Sequence, residues 1–324
     1  MTNNSGTAVP SYATPVWRTL VWALLLCLAL SISGIFMPKW LTFLVTMAAA
    51  NGLVSLGIVI LMRGGVVPFG QGMVFAIGGY AAALLSNKVG ISDALLLTLC
   101  GGVLAALIAA PFAPLLSRYR GIFFAMLTLA LSMVTYGLLM KLEVLGGSDG
   151  FNMRRPTLFG QKLPDEHVGY IMYVLTISIS TVMAFLARIY FDSTRGLITL
   201  ATKENELRVE YLGGSVRQSM AINFILAAFC GGLGGSLAVM SLGHIEPNFS
   251  FWTTSGEFVF VAILAGWQSV IALFLASTVL EVVRSFSSSY FPNTWQMSLG
   301  IFLLIVIRFL PRGIGSLWVK GDSR

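Results

Sequence analysis

Charge is scarce in this sequence. Asp, Glu, Lys and Arg make up 33 of 324 residues, or 10%, against about 25% in soluble domains. Such a chain cannot cover a water-facing surface, and its 56% hydrophobic content marks a membrane protein. Cysteine is nearly absent. Cys27, Cys100 and Cys230 lie singly in apolar stretches, without the spacing of a disulfide framework or a zinc site, and read as small buried hydrophobes. The two histidines, His167 and His244, flank separate apolar runs with no Cys or carboxylate at ligand spacing. The chain has no GxxxxGK(S/T) phosphate loop and no HExxH, which argues against an ATPase or a metalloenzyme in this chain. No nucleophile and base fall together within the apolar runs, so a membrane-embedded enzyme has nothing to stand on. Lys, Arg, Asp and Glu read as nearly confined to loops and helix ends, which weighs against a proton-coupled carrier.

What is present is apolar length. A polar stretch, 1–16, precedes Arg18 and a first run too long for a signal-peptide core, so a retained span is expected. Runs of about twenty apolar residues cross a bilayer as helices. That ruler marks Trp17–Met37, Leu41–Met62, Val66–Ser86, Asp93–Leu116, Gly121–Met140, Val168–Tyr190, Ser219–Gly243, Glu257–Val283 and Trp295–Leu310.

The net charge of +7 does not indicate nucleic acid, because the basic residues sit singly or in pairs at the ends of apolar runs. They read as topology signals. The loop Phe191–Gln218 carries Arg195, Lys203, Arg208 and Arg217 and is placed inside. Arg63, Arg118, Arg120 and the N-terminus then also fall inside, while Gly243–Gly256, without Lys or Arg, falls outside. The loop with Arg154, Arg155 and Lys162 is external and breaks the rule. Nine full crossings would strand the basic tail 312–324 outside. Gly266 interrupts Glu257–Val283, so that run is expected to enter and return. The expected fold is an all-α polytopic membrane protein, its transmembrane domain spanning 17–311, with about eight transmembrane helices plus a Gly-interrupted re-entrant element.

The stretch "TKENELRVEYLGG", Thr202–Gly214, gathers Lys203, Glu204, Glu206, Arg208 and Glu210 in a loop placed inside. A single short helix is expected over Thr202–Leu212, with Glu204 and Arg208 as an i,i+4 pair, Leu200, Leu207 and Tyr211 on one narrow apolar face, and Gly213 as C-cap. Glu206 and Glu210 repel each other in isolation, so the charge suits a partner of complementary charge.

A second unusual stretch is "RGGVVPFGQGMVFAIGGYAA" from Arg63. Pro68 with Phe69, Gly70, Gln71 and Gly72 cannot continue one helix without cost. The break reads either as a substrate path that bares backbone groups to a polar solute, or as close helix packing; Gly78 and Gly79 suit packing equally well. Gly147, Ser148 and Asp149, in "LGGSDGF", read as the entrance of a path or as a simple helix-ending turn.

Taken in order from about Leu53 to Leu317, "LMRGGVVPFGQGMVFAIGGYAAALL", "LGGSDGF", "ATKENELRVEYLGGSVRQSMAINFILAAFCGGLGGSL" and "GHIEPNFSF" resemble the permease family of ABC importers for branched-chain amino acids, in particular the longer of its two permease subunits. The resemblance implies that Lys203, Glu204, Asn205, Glu206, Arg208 and Gly213 form the coupling segment, 199–214, that docks on an ATPase. It further implies a second permease subunit, two ATPase subunits, an extracytoplasmic solute-binding protein, the bacterial inner membrane, and no cofactor in this chain, ATP being held by partner subunits. Where the family usually shows a GGxGSxxGPxxGA pattern, this chain has "LAGWQSVIALFLAS", Leu264–Ser277, keeping Gly266 and Ser269. The alternatives are a permease of the same family for urea or short amides, or a stand-alone channel or facilitator in which the charged segment is only a solvated loop.

Overall fold

The computed structural model describes residues 16–158, 160–162, 164, 167–310 and 313–317. The polar N-terminal stretch and most of the basic tail 312–324 lie outside them. The apolar runs form helices: α1 (Val16–Phe36), α2 (Lys39–Met62), α3 (Gln71–Leu84, extended by a π turn to Val89), α4 (Ala94–Ala109), the short α5 (Ala113–Leu116), α6 (Gly121–Lys141) and α7 (Val168–Asp192). The charged segment forms α8 (Thr194–Glu204) and α9 (Glu206–Tyr211), followed by α10 (Val216–Leu242), α11 (Trp252–Ala265), α12 (Val270–Tyr290) and α13 (Trp295–Phe309). Among the described residues, eight helices are long and apolar enough to cross a membrane, and α11 and α13 are shorter apolar helices. The chain is an all-α polytopic membrane protein. Its strands are two-residue pieces: β1 (Phe151–Asn152), β2 (Thr157–Leu158), β3 (Gln161–Lys162) and β4 (His244–Ile245). β1 pairs antiparallel with β4 and β2 with β3.

The core forms around α2 and α10, and α2 is buried along nearly its whole length. Because lipid gives helices no hydrophobic reason to associate, close approach through small residues supplies the contact. A Cβ on Gly78 of α3 would lie 2.2 Å from the Gly232 carbonyl oxygen of α10, and one on Gly101 of α4 would lie 1.9 Å from Ser236 Oγ. The glycines of α3 are therefore packing residues.

The run Glu257–Val283 differs from the expected enter-and-return element. Gly266 does interrupt it, at φ 76°, a conformation that glycine adopts freely. The second half, however, is α12, 21 residues long and long enough to cross by itself. The stretch leading into the first half is irregular. From β4 the chain descends through a 3₁₀ turn, Pro247–Ser250, whose Ser250 carbonyl accepts a hydrogen bond from Ser132 Oγ (2.7 Å), halfway along α6. Only there does α11 begin. After α12 the chain returns through α13 to the Gly266 break, where Gly313 packs against Ala265 and Gly266.

Candidate functional site

Lys203, Asn205 and Glu206 show how the charged segment is built. The expected single helix is two, because Asn205 leaves the helical region (φ −159°, ψ 103°) and caps α9, its side chain accepting from the Arg208 backbone N–H (3.0 Å). Glu204 and Arg208 thus belong to different helices, so the i,i+4 pair and the shared apolar face through Leu200 do not form. Gly213 ends α9 at φ 84°, and the N–H groups of Gly213 and Gly214 donate to Glu210 and Val209 carbonyls (2.9 Å each), as a left-handed cap requires.

Two of the segment's charges turn toward the membrane domain. Glu206 Oε1 accepts from Arg120 Nε (2.6 Å), at the start of α6. Lys203 Nζ lies 4.2 Å from the Trp267 ring centre, within the Gly266 break. Arg63, at the end of α2, lies 4.2 Å over Phe191 and 6.0 Å from Trp267. Desolvation, and secondarily the charge of Arg63, hold the Lys203 ammonium below its ordinary pKa. Outward, the segment presents Glu204, Arg208 and Glu210 beside Leu207 at 65%, Tyr211 at 89% and Leu212 at 82% exposure.

Around Phe69–Gly72 two of the backbone N–H groups freed by the break find partners within the protein. Phe69 N–H donates to Thr128 Oγ1 (3.0 Å) and Gly72 N–H to Ser255 Oγ (2.9 Å). A Cβ on Gly70 would lie 2.3 Å from the Thr128 carbonyl oxygen, and one on Gly72 would lie 2.7 Å from Ser255 Oγ. Gln71 is buried with its Oε1 unpartnered. The cavity there, about 10 Å³, has room for no more than one water molecule. Gly147, Ser148 and Asp149 form a 3₁₀ turn at the opposite end from α8 and α9, with Ser148 Oγ donating to Asp149 Oδ1 (3.0 Å). The structure does not bring this turn onto Phe69–Gly72, since the Pro247–Ser250 turn lies between them. A larger cavity, about 510 Å³, opens between α1, α2 and α7 beside Gly34, Phe43 and Tyr170, away from all of these residues.

One cluster corrects the expectation that ionisable groups keep to loops and helix ends. Arg284 of α12 pairs with Glu257 of α11 (Nη1–Oε2 3.3 Å) and lies 4.0 Å from Glu281. Asn51 of α2 donates to Glu281 (3.1 Å), and the guanidinium lies 5.4 Å from the Trp295 ring centre. The i,i+3 spacing of Glu281 and Arg284 was the one local signal for it; Asn51 and Glu257 are brought in by tertiary packing alone.

A family model described as "Branched-chain amino acid transport system / permease component" matches residues 40–308. The permease protein LivM of a high-affinity branched-chain amino acid transport system is 26% identical in Salmonella typhimurium, covering 83% of this chain and 68% of that protein. The Escherichia coli LivM is 25% identical, over 81% and 67%. BraD of Pseudomonas aeruginosa, a permease protein of the same kind of system, is 23% identical, over 77% and 86%. A solved structure, PsaBC from Streptococcus pneumoniae in complex with Fab, aligns at 14% identity and a TM-score of 0.43 over 90% of this chain and 99% of that one, too remote to carry an argument. These relatives are transport permease subunits and not enzymes, and this chain, a multi-pass membrane protein, belongs to the family of permease components of branched-chain amino acid transport systems.

Proposed function

We propose that this chain is one permease subunit of an ATP-driven importer for branched-chain or related amino acids, and that it forms half of the translocation path beside a second permease chain. Two ATPase subunits act from the cytoplasm and a binding protein delivers solute from outside. ATP-driven closure of the ATPases moves the α8–α9 segment and biases which side of the membrane sees the path. The observation that carries this reading is the outward face of that segment: Leu207, Tyr211 and Leu212 stand exposed among Glu204, Arg208 and Glu210. Apolar anchors ringed by both signs of charge fit a protein partner better than solvent.

Lys203 and Glu206 serve the segment's inner face, toward Trp267 and Arg120, while Glu204 and Arg208 with the exposed apolar residues serve docking. The hydrogen bonds of Phe69 and Gly72 support a joint beside the path rather than its lining. Ser148 and Asp149, exposed at the other end, suit contact with an incoming binding protein. The charge-reversed pair Glu204→Lys with Arg208→Glu is expected to abolish copurification with the ATPase and ATP-dependent uptake of L-leucine, with the chain still inserted. Unchanged assembly and uptake would refute docking here. A passive facilitator predicts leucine flux indifferent to ATP.

A further inference from the structure

Two carboxylates and one guanidinium meet on α11 and α12, and neither the docking segment nor the packed break uses them. Asn51 and Glu281, which are hydrogen bonded, each lie roughly 13–18 Å from both ends of their helices at 1.5 Å per residue. The cluster is therefore near the middle of the bilayer, where charge is costly and marks function by default. One Arg against two Glu leaves an uncompensated negative charge. The site is also not sealed, since the Arg284 side chain is 37% exposed. Both carboxylates face the same Nη1 as ion pairs, and among the described residues no other carboxylate pairs with the guanidinium. Gly256, just before Glu257, has open space where a side chain would stand. Hydrocarbon cannot satisfy such a face.

We infer that Asn51, Glu257, Glu281 and Arg284 form a binding site for the charged ends of a zwitterionic α-amino acid, an inference that rests on the transport reading above. The unused edge of the Arg284 fork matches a carboxylate with two parallel N–H donors. The α-ammonium meets Glu257 and Glu281, the carboxylates that share one guanidinium. A zwitterion brings both ends with no net charge of its own, so binding supplies ionic partners to the open Arg284 edge and to the carboxylates without adding charge at mid-membrane depth. Urea and short amides carry neither charge and leave the cluster as it was, so the site selects amino acids over the family's other solutes. The apolar side chain needs no partner here beyond the surrounding wall.

The test uses the whole purified complex, with Gly256→Cys in a chain whose Cys27, Cys100 and Cys230 are replaced by alanine. A charged methanethiosulfonate reagent is expected to modify the new cysteine, and L-leucine to slow that modification. 3-Methylbutylamine and 4-methylpentanoate, each lacking one charge, and urea are expected to protect poorly. Glu257→Gln and Glu281→Gln are expected to raise the half-protecting leucine concentration about tenfold, as for loss of one charge-assisted contact, while the ATPase subunits still copurify. No modification of the folded chain, modification without protection by leucine, equal protection by urea, or an unchanged half-protecting concentration in both variants would each overturn the proposal. If the Gln variants do not assemble, the Gly256→Cys chain decides alone through leucine against its single-charge analogues. The transport reading fails separately, by leucine uptake without dependence on ATP, whatever the cysteine reports.

Discussion

A methyl group at Gly70 would sit 2.3 Å from the Thr128 carbonyl oxygen, and that oxygen belongs to a helix backbone. Nothing there yields cheaply, so Gly70→Ala must push α3 from α6 at about 1–3 kcal/mol. Gly72→Ala meets first a serine hydroxyl, with backbone carbonyls slightly farther. The expected outcome is that Gly70→Ala lowers folded protein and uptake in the same proportion, measured by size-exclusion yield beside transport, with Gly72→Ala milder. Normal yield with altered solute preference would return the path to Phe69–Gly72. The irregularity of this stretch was legible from Pro68 and its glycines. Its partners were not, because Thr128 and Ser255 come from helices far along the chain and no local pattern points to them. The same holds for Glu257 and Arg284, which sequence reading dispersed and folding joins.

At the scale of elements, the joint between α8 and the Gly266 break rests on Lys203 over Trp267. A cation on an indole face is worth about 0.5–2 kcal/mol, yet burial and Arg63 work against the charge and lower its pKa. The sign follows. A lysine whose folded pKa lies below its unfolded value costs stability at low pH, and the cost is relieved as pH rises through the window between the lowered value and the ordinary 10.5. Lys203→Met is therefore expected to leave thermal stability equal or higher near neutral pH, and to flatten its rise with pH above neutrality. Uptake per ATP hydrolysed is expected to fall, while Lys203→Arg retains it; equal coupling in both variants would remove Trp267 from the transmission. Gly266 was readable as an interruption because it stands with Trp267, Gln268 and Ser269 in a stretch that makes a poor helix interior. Asn205 was not, since "KENELR" keeps good helix formers on both sides and only the cap geometry decides where one helix stops.

For the whole molecule, the ends of the described chain lie with α8 and α9. α1 packs antiparallel to α7 through Ser31–Tyr170 and Cys27–Ser178, and Gly313 returns to Gly266. On the proposed reading, in which the basic charged segment faces the cytoplasm, a cysteine introduced at Ser323 is expected to resist impermeant reagents in intact cells. Labelling from outside would reverse the topology. Most of the long apolar helices were legible from apolar length. The division of Glu257–Val283 into the short α11 and the long α12 was not legible, because α11 begins only after the 3₁₀ turn Pro247–Ser250 that Ser132 holds. Finally, α9 grips α6 through Arg120 and Glu206, while α8 grips the α11–α12 break through Lys203, with Asn205 as the pivot between them. On the proposed coupling role, a push on the segment would reach α6 and the α11–α12 break through separate contacts joined at one bend, so stiffening that bend would force the two to travel together.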